Sequence, residues 1–264
     1  RRLQGHMAGV ACVSYHPFGE LVVSGSRDTN VKVWDVRQKS CIQTYRGHNA
    51  ELSAVCFSPD GKWGASGGKD GKVLLWDLVS GRQLHTFSAG SSDASEVVDL
   101  CFSPEEFLLA VATKERSLRL FDLDTFQQIA QTPAEAAPLK RVCFDASGRS
   151  LLGVAAGHAK LWNWEPLASV GAMEATWADV KAAVCTEDGQ MLVAAGDMSS
   201  LSVWAADLEA MERPRVPQRQ KTPRERKSEP RSAERRSDSH SRSPLSAANE
   251  PRRSETRSET PPDN

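Results

Sequence analysis

The chain lacks most of what a membrane protein or a common enzyme carries. Its 264 residues hold no run of about 18 apolar residues, so no membrane-spanning helix is expected. There is no G-x-x-x-x-G-K-[ST] loop for a nucleotide and no H-E-x-x-H pair for zinc. The six cysteines, Cys12, Cys41, Cys56, Cys101, Cys143 and Cys185, form no C-x-x-C pair, against a zinc or redox motif. No basic-then-apolar segment and no Met opens the chain. Catalytic residues, a cofactor and a metal are therefore all expected to be absent.

The charge is divided. A formal net charge of −1 combines −7 over residues 1–212 (19 Lys+Arg, 26 Asp+Glu) with +6 over residues 213–264 (14 and 8). An acidic body with a basic end predicts an acidic partner for the end. Residues 213–264 contain no Phe, Trp, Tyr or Ile. Such a stretch cannot bury enough surface to offset its ordering entropy, so residues 208–264 are expected to be a disordered Ser/Arg/Pro-rich linker. Thr222, Ser243 and Thr260 each precede a proline there and are candidate phosphosites, where phosphate would cancel much of the +6. The acidic C-terminal tails of tubulin are a fitting counter-charge. RNA fits by charge alone, but no aromatic residues interleave to stack on bases, so no specific nucleic acid is expected.

Residues 1–207 repeat. Gly5-His6 returns as Gly47-His48, and Trp34-Asp35 as Trp76-Asp77, each 42 residues on. Phe121-Asp122, Trp162-Asn163 and Trp204-Ala205 continue the series. A second series in phase comprises turns after short apolar stretches: Tyr15 to Gly19, Phe57 to Gly61, Phe102 to Glu106, Phe144 to Gly148 and Thr186 to Gly189. Cys56, Cys101, Cys143 and Cys185 immediately precede them and are expected to be equivalent core fillers. Each period divides into four short strands, in the first roughly Gly9–Tyr15, Leu21–Ser26, Asn30–Asp35 and Cys41–Tyr45. Four short strands every 40–45 residues predict a propeller blade. Five such periods predict an all-β propeller. Arg1-Arg2-Leu3-Gln4 reads as the end of an outer strand, so the chain is expected to be part of a six- or seven-bladed ring.

The Gly-His, Ser-Gly-Ser-x-Asp and Trp-Asp elements identify the repeats as similar to the WD-repeat family. That resemblance implies hydrogen-bonded tetrads of His6, Ser24, Asp28 and Trp34, and of His48, Ser66, Asp70 and Trp76. The chemistry is complementary: indole N–H donates only, carboxylate accepts only, and His and Ser can do both. A hydrolase triad is rejected because the set recurs at the blade period and includes an indole. Later periods lose the set: Val111 and Glu115 stand at the Ser and Asp positions. Those blades are expected to lack tetrads and to be less rigidly fixed.

Two further resemblances bear on function. The segment His16 to Glu20 with Ser24 to Arg37, Tyr45 to His48 with Phe57 to Trp63, Phe107 to Ala110, Phe121 to Phe126, and Trp164 to Pro166 resemble the WD-repeat regulatory subunit of katanin. This implies a non-catalytic targeting subunit in the cytoplasm and cytoskeleton, at centrosomes, spindle poles and microtubules. Its implied partners are tubulin, other spindle or centrosome proteins and, through a region beyond this chain, an AAA ATPase. Trp34-Asp35-Val36-Arg37 also resembles the W-D-x-R ending of cullin-type ubiquitin-ligase receptors, the alternative function, with Arg37 as its contact. Finally, Arg27, Lys69 and Lys114 precede the tetrad-type acidic position in three successive periods. They are expected to form a basic, partner-binding arc.

Overall fold

A computed structural model describes residues 2–90, 95–196 and 199–212. Thr222, Ser243, Thr260 and the linker beyond 212 lie outside the described residues. The body is all-β, a WD-repeat β-propeller of five blades, each a meander of short antiparallel strands.

Blade one contains β1 (Val10–Tyr15), β2 (Leu21–Ser26), β3 (Val31–Asp35) and β4 (Ser40–Tyr45). Blade two contains β5 (Leu52–Phe57), β6 (Trp63–Gly68), β7 (Lys72–Asp77) and β8 (Arg82–Ser88). Blade three contains β9 (Val97–Phe102), β10 (Leu108–Thr113), β11 (Leu118–Asp122) and β12 (Gln127–Gln131). Blade four contains β13 (Leu139–Phe144), β14 (Ser150–Ala155), β15 (His158–Trp164) and β16 (Leu167–Glu174). Blade five has three strands among the described residues, β17 (Val180–Cys185), β18 (Gln190–Gly196) and β19 (Leu201–Asp207), followed by α1 (Leu208–Glu212).

The strands form where β-branched and other apolar residues run between turn residues. In the β5–β6 turn the Ser58 N–H donates to Trp63 O at 2.9 Å, and Gly61 supplies the left-handed conformation (φ 68°) that a side chain resists. Inner strands pack in order, β1 on β5, β5 on β9, β9 on β13 and β13 on β17. Each of blades two to four buries one face on the blade before it and the other on the blade after. The core is thus a series of layers between blades: Val23, Val31 and Val33 meet Leu52, Val55, Leu74 and Trp76 between blades one and two.

The packing series ends at blades one and five, since β17 does not pack on β1 as successive inner strands do. Val10, Val13 and Tyr15 of β1 are exposed, whereas Leu52, Val55 and Phe57, their counterparts in β5, are buried. On blade five, Val203 is 67% exposed, against 2% for Val31 at the matching place.

Blade five departs from the predicted equivalences. Val10 pairs with Ser26 and Tyr15 with Val22. Val180 pairs with Ala195 and Cys185 with Met191. Cys185 therefore occupies the position of Tyr15, Phe57, Phe102 and Phe144, one residue past Cys56, Cys101 and Cys143. The cause is a shorter β17–β18 turn, in which Thr186 N donates to Gln190 O at 2.8 Å. A one-residue slip in a strand changes the face a side chain lies on. Trp204 is also displaced. Leu21 pairs with Asp35, and in blade five Gln190 pairs with Asp207. Ala206, not Trp204, therefore stands at the Trp34 position. Trp204 lies two residues earlier, in the middle of β19, 38% exposed, with its ring 6.0 Å from Trp177.

The boundary expected at residue 207 falls too early. Leu208 and Met211 are buried among the blade-four and blade-five side chains. Their three-residue spacing puts both on one face of α1, so the body includes this helix.

Candidate functional site: polar networks between the strands

The two tetrads span the loop before the inner strand and the hairpin between the second and third strands. In blade one, the Trp34 indole donates to Ser24 Oγ at 2.7 Å. Ser24 Oγ lies 2.7 Å from His6 Nε2, and His6 Nδ1 lies 2.9 Å from Asp28 Oδ2. Because the indole can only donate, Ser24 is left to donate to Nε2, and the ring N–H falls on Nδ1, facing the carboxylate. Met7 N also donates to Asp28 Oδ2, at 2.8 Å. Blade two repeats the set: Trp76 to Ser66 at 2.8 Å, Ser66 to His48 at 2.9 Å, His48 to Asp70 at 3.0 Å, and Asn49 N to Asp70 at 2.9 Å.

Burial is the largest influence on His48 and lowers its pKa, although Asp70 pulls the other way. Burial pushes Asp70 up, but Asn49 N–H, His48 and Lys72 N–H together hold it below the usual carboxylate range. Asp28 is likewise held low against its own burial by Met7, Asn30 and His6. At His48, a neutral imidazole bonded to Ser66 on one nitrogen and to Asp70 on the other fixes a hairpin. It leaves no nucleophile presented to a substrate.

Blades three and four solve the same interior differently. At the serine position blade three has Val111, paired across the strand with Arg119, and at the tryptophan position Phe121. Acceptor and donor are lost together, so neither is left orphaned. Glu115, at the aspartate position, instead links Ser95 Oγ to the Arg119 guanidinium, 3.3 Å away, which also donates to Gln128 at 2.9 Å. Arg119 is buried, and its Nε has no partner among the described residues. Sequence reading missed this network because Arg119 takes the place of Leu74, an apolar position in blade two. In blade four Gly153 makes room for Trp162, whose ring would lie 2.7 Å from an added Cβ. Lys160 lies over that ring at 5.3 Å and pairs with Glu135 at 2.9 Å. β10 and β14 are buried throughout.

Two of the three turns in the expected basic arc carry a paired acid. Lys69 Nζ lies 2.7 Å from Glu51, and Lys114 Nζ lies 2.9 Å from Glu96. Each acid sits 18 residues before its lysine, on the adjoining loop. Arg27, whose backbone N–H bonds Gly9 O, has glycine at that offset. Arg37 is 76% exposed and pairs with Glu20.

The axial cavity holds a group that sequence reading passed over. It is bordered by Cys12, Ser53, Asp99, Arg141 and Lys181. Asp99 accepts Val142 N from the next blade at 2.8 Å. Burial raises its pKa to about 6, against the opposing pull of Arg141. Among the described residues no group of three or more His, Cys, Asp or Glu could hold a metal ion.

Residues 1–35, 39–77 and 81–122 match the family model described as WD domain, G-beta repeat. Pre-mRNA-processing factor 19 of Homo sapiens is 37% identical over 142 residues, covering 54% of this chain and 28% of that protein. Telomerase protein component 1 of Mus musculus is 27% identical over 222 residues, 79% of this chain and 8% of that protein. WD repeat-containing protein 18 of Rattus norvegicus is 42% identical over 41 residues, 16% of this chain and 10% of that protein. The chain thus spans less than a third of the length of each of these relatives.

Proposed function

From a body of WD40 repeats whose polar clusters are bonded to one another, we propose a non-catalytic, protein-docking scaffold. The observation that carries this is the inward bonding of both His–Asp–Ser–Trp sets. The finer reading is a targeting subunit of a katanin-type microtubule-severing complex, acting at microtubules, centrosomes and spindle poles. It is supported by the residues of blades one and two that resemble that subunit. The basic composition of residues 213–264 supports it too, as a counter-charge for acidic tubulin tails.

The test is retention of the full chain on three baits: microtubules, the severing ATPase with microtubules, and the adaptor of cullin-type ubiquitin ligases. Pelleting with microtubules, weakened by rising salt, is expected. Retention on the adaptor that Arg37→Ala abolishes would replace the severing reading with a ligase receptor. Retention on neither microtubules nor adaptor would reject both finer readings and leave a scaffold for other proteins.

A further inference from the structure

The slipped register of β17 brings two thiols together. Between blades two and three, Cys56 packs in the layer that contains Phe102. Between blades four and five the aromatic counterpart is absent, because Cys185 stands at that position. Cys143 lies on the face of blade four turned toward blade five, and Cys185 on the facing side of blade five. Their sulfurs are 3.5 Å apart, 42 residues apart in the chain. Both are free thiols, Cys143 buried and Cys185 partly exposed.

We propose that Cys143 and Cys185 are a modification site, an oxidisable pair that forms a disulfide stitching blade five to blade four. A peroxide is the oxidant. The Cys185 thiolate attacks one peroxide oxygen, the O–O bond breaks, and a sulfenic acid and one water result. The Cys143 sulfur then attacks the Cys185 sulfur. The S–S bond forms, the S–OH bond breaks, and the hydroxide leaves with the Cys143 proton as a second water. Two thiols lose two electrons and two protons, and one peroxide is reduced to two waters. The order follows from the surroundings. Cys143 is bonded to Cys185 and buried, both of which raise its pKa, so Cys185 meets the oxidant first. The remaining change is a closure of about 1.5 Å to bonding distance, small for side chains at a layer of packed sheets.

The link would act on blade five, which packs on a neighbour along one face only. The experiment treats the full chain with hydrogen peroxide, then alkylates it and maps the peptides. The expected result is an intact mass lower by two hydrogens, a Cys143–Cys185 linked peptide, and Cys12, Cys56 and Cys101 still alkylatable after unfolding. The thermal midpoint should rise and return to its starting value on reduction. Cys185→Phe restores the residue type of blades two to four, so it should fold and form no link. A different linkage, alkylation of both thiols after peroxide treatment, or the same midpoint shift in Cys185→Phe would each overturn the proposal.

Discussion

Blades two and three fill the same interior with opposite chemistry. Blade two joins loop to hairpin through four side chains that each need the next: His48, Ser66, Asp70 and Trp76. Blade three removes the inner donor and acceptor together, as Phe121 and Val111, and moves the polar contact outward to Ser95, Glu115 and Arg119. Partial loss, not absence, is what a buried network tolerates badly. The repeat can therefore lose its signature without losing its fold, provided the partners leave together.

The largest expected effect breaks the blade-two network from inside. His48→Ala should cost about 3 kcal/mol in denaturant unfolding, because Asp70 and Ser66 are both left short of a partner. It should also flatten the acid limb of the stability curve. His48 has a lowered folded pKa, so its stabilising contribution is present above about 6.5 and is lost as pH falls toward the folded value. Asp28 and Asp70 add losses below about 4. A smaller effect, about 2 kcal/mol, is expected for Gly153→Ala by thermal melting, since the new Cβ meets Trp162 and Leu139.

The comparison sharpens in a double-mutant cycle. Ser66→Val with Trp76→Phe, the blade-three pair, should cost less than the two single changes summed, by about 1–2 kcal/mol. Additive costs would mean that removing donor and acceptor together gives no relief. Asp99→Asn should act in the other direction. Asp99 is raised from 3.8 to about 6, so the folded state takes up a proton more readily and the charged form is penalised above pH 6. The substitution should stabilise by about 1–2 kcal/mol at pH 8 and by almost nothing near pH 4. The smallest effect belongs to Lys69→Ala and Lys114→Ala, each under about 0.5 kcal/mol, because both pairs are exposed.

The propeller was legible because turn residues recur in phase with short apolar runs. The first three strands of blade one, Val10–Tyr15, Leu21–Ser26 and Val31–Asp35, fall within a residue of the ranges read from alternation and turns. The tetrads were legible through resemblance, since four residue types at fixed offsets carry their own hydrogen-bond logic. Blade five was misread because two unequal length changes leave a net shift of two residues at the tryptophan position. Its first turn is short and its β18–β19 hairpin is long: Gly25 pairs with Val31, whereas its counterpart Ala194 pairs with Val203. Trp204 therefore kept the expected 42-residue step while changing its structural place. The Arg119 network and Asp99 were illegible for another reason. Each places a charge at a position that is apolar in blade two, Leu74 and Ala54, and only the fold brings their partners near.

The displacement of Trp204 has an optical consequence. Trp34, Trp76, Trp162 and Trp177 are all buried, while Trp204, opposite Val193 and beside Trp177 on the blade-four side of the last blade, stands partly in water. A collisional quencher such as iodide should reach it well before those four. Its quenching would then report changes where blades four and five meet, without any attached dye.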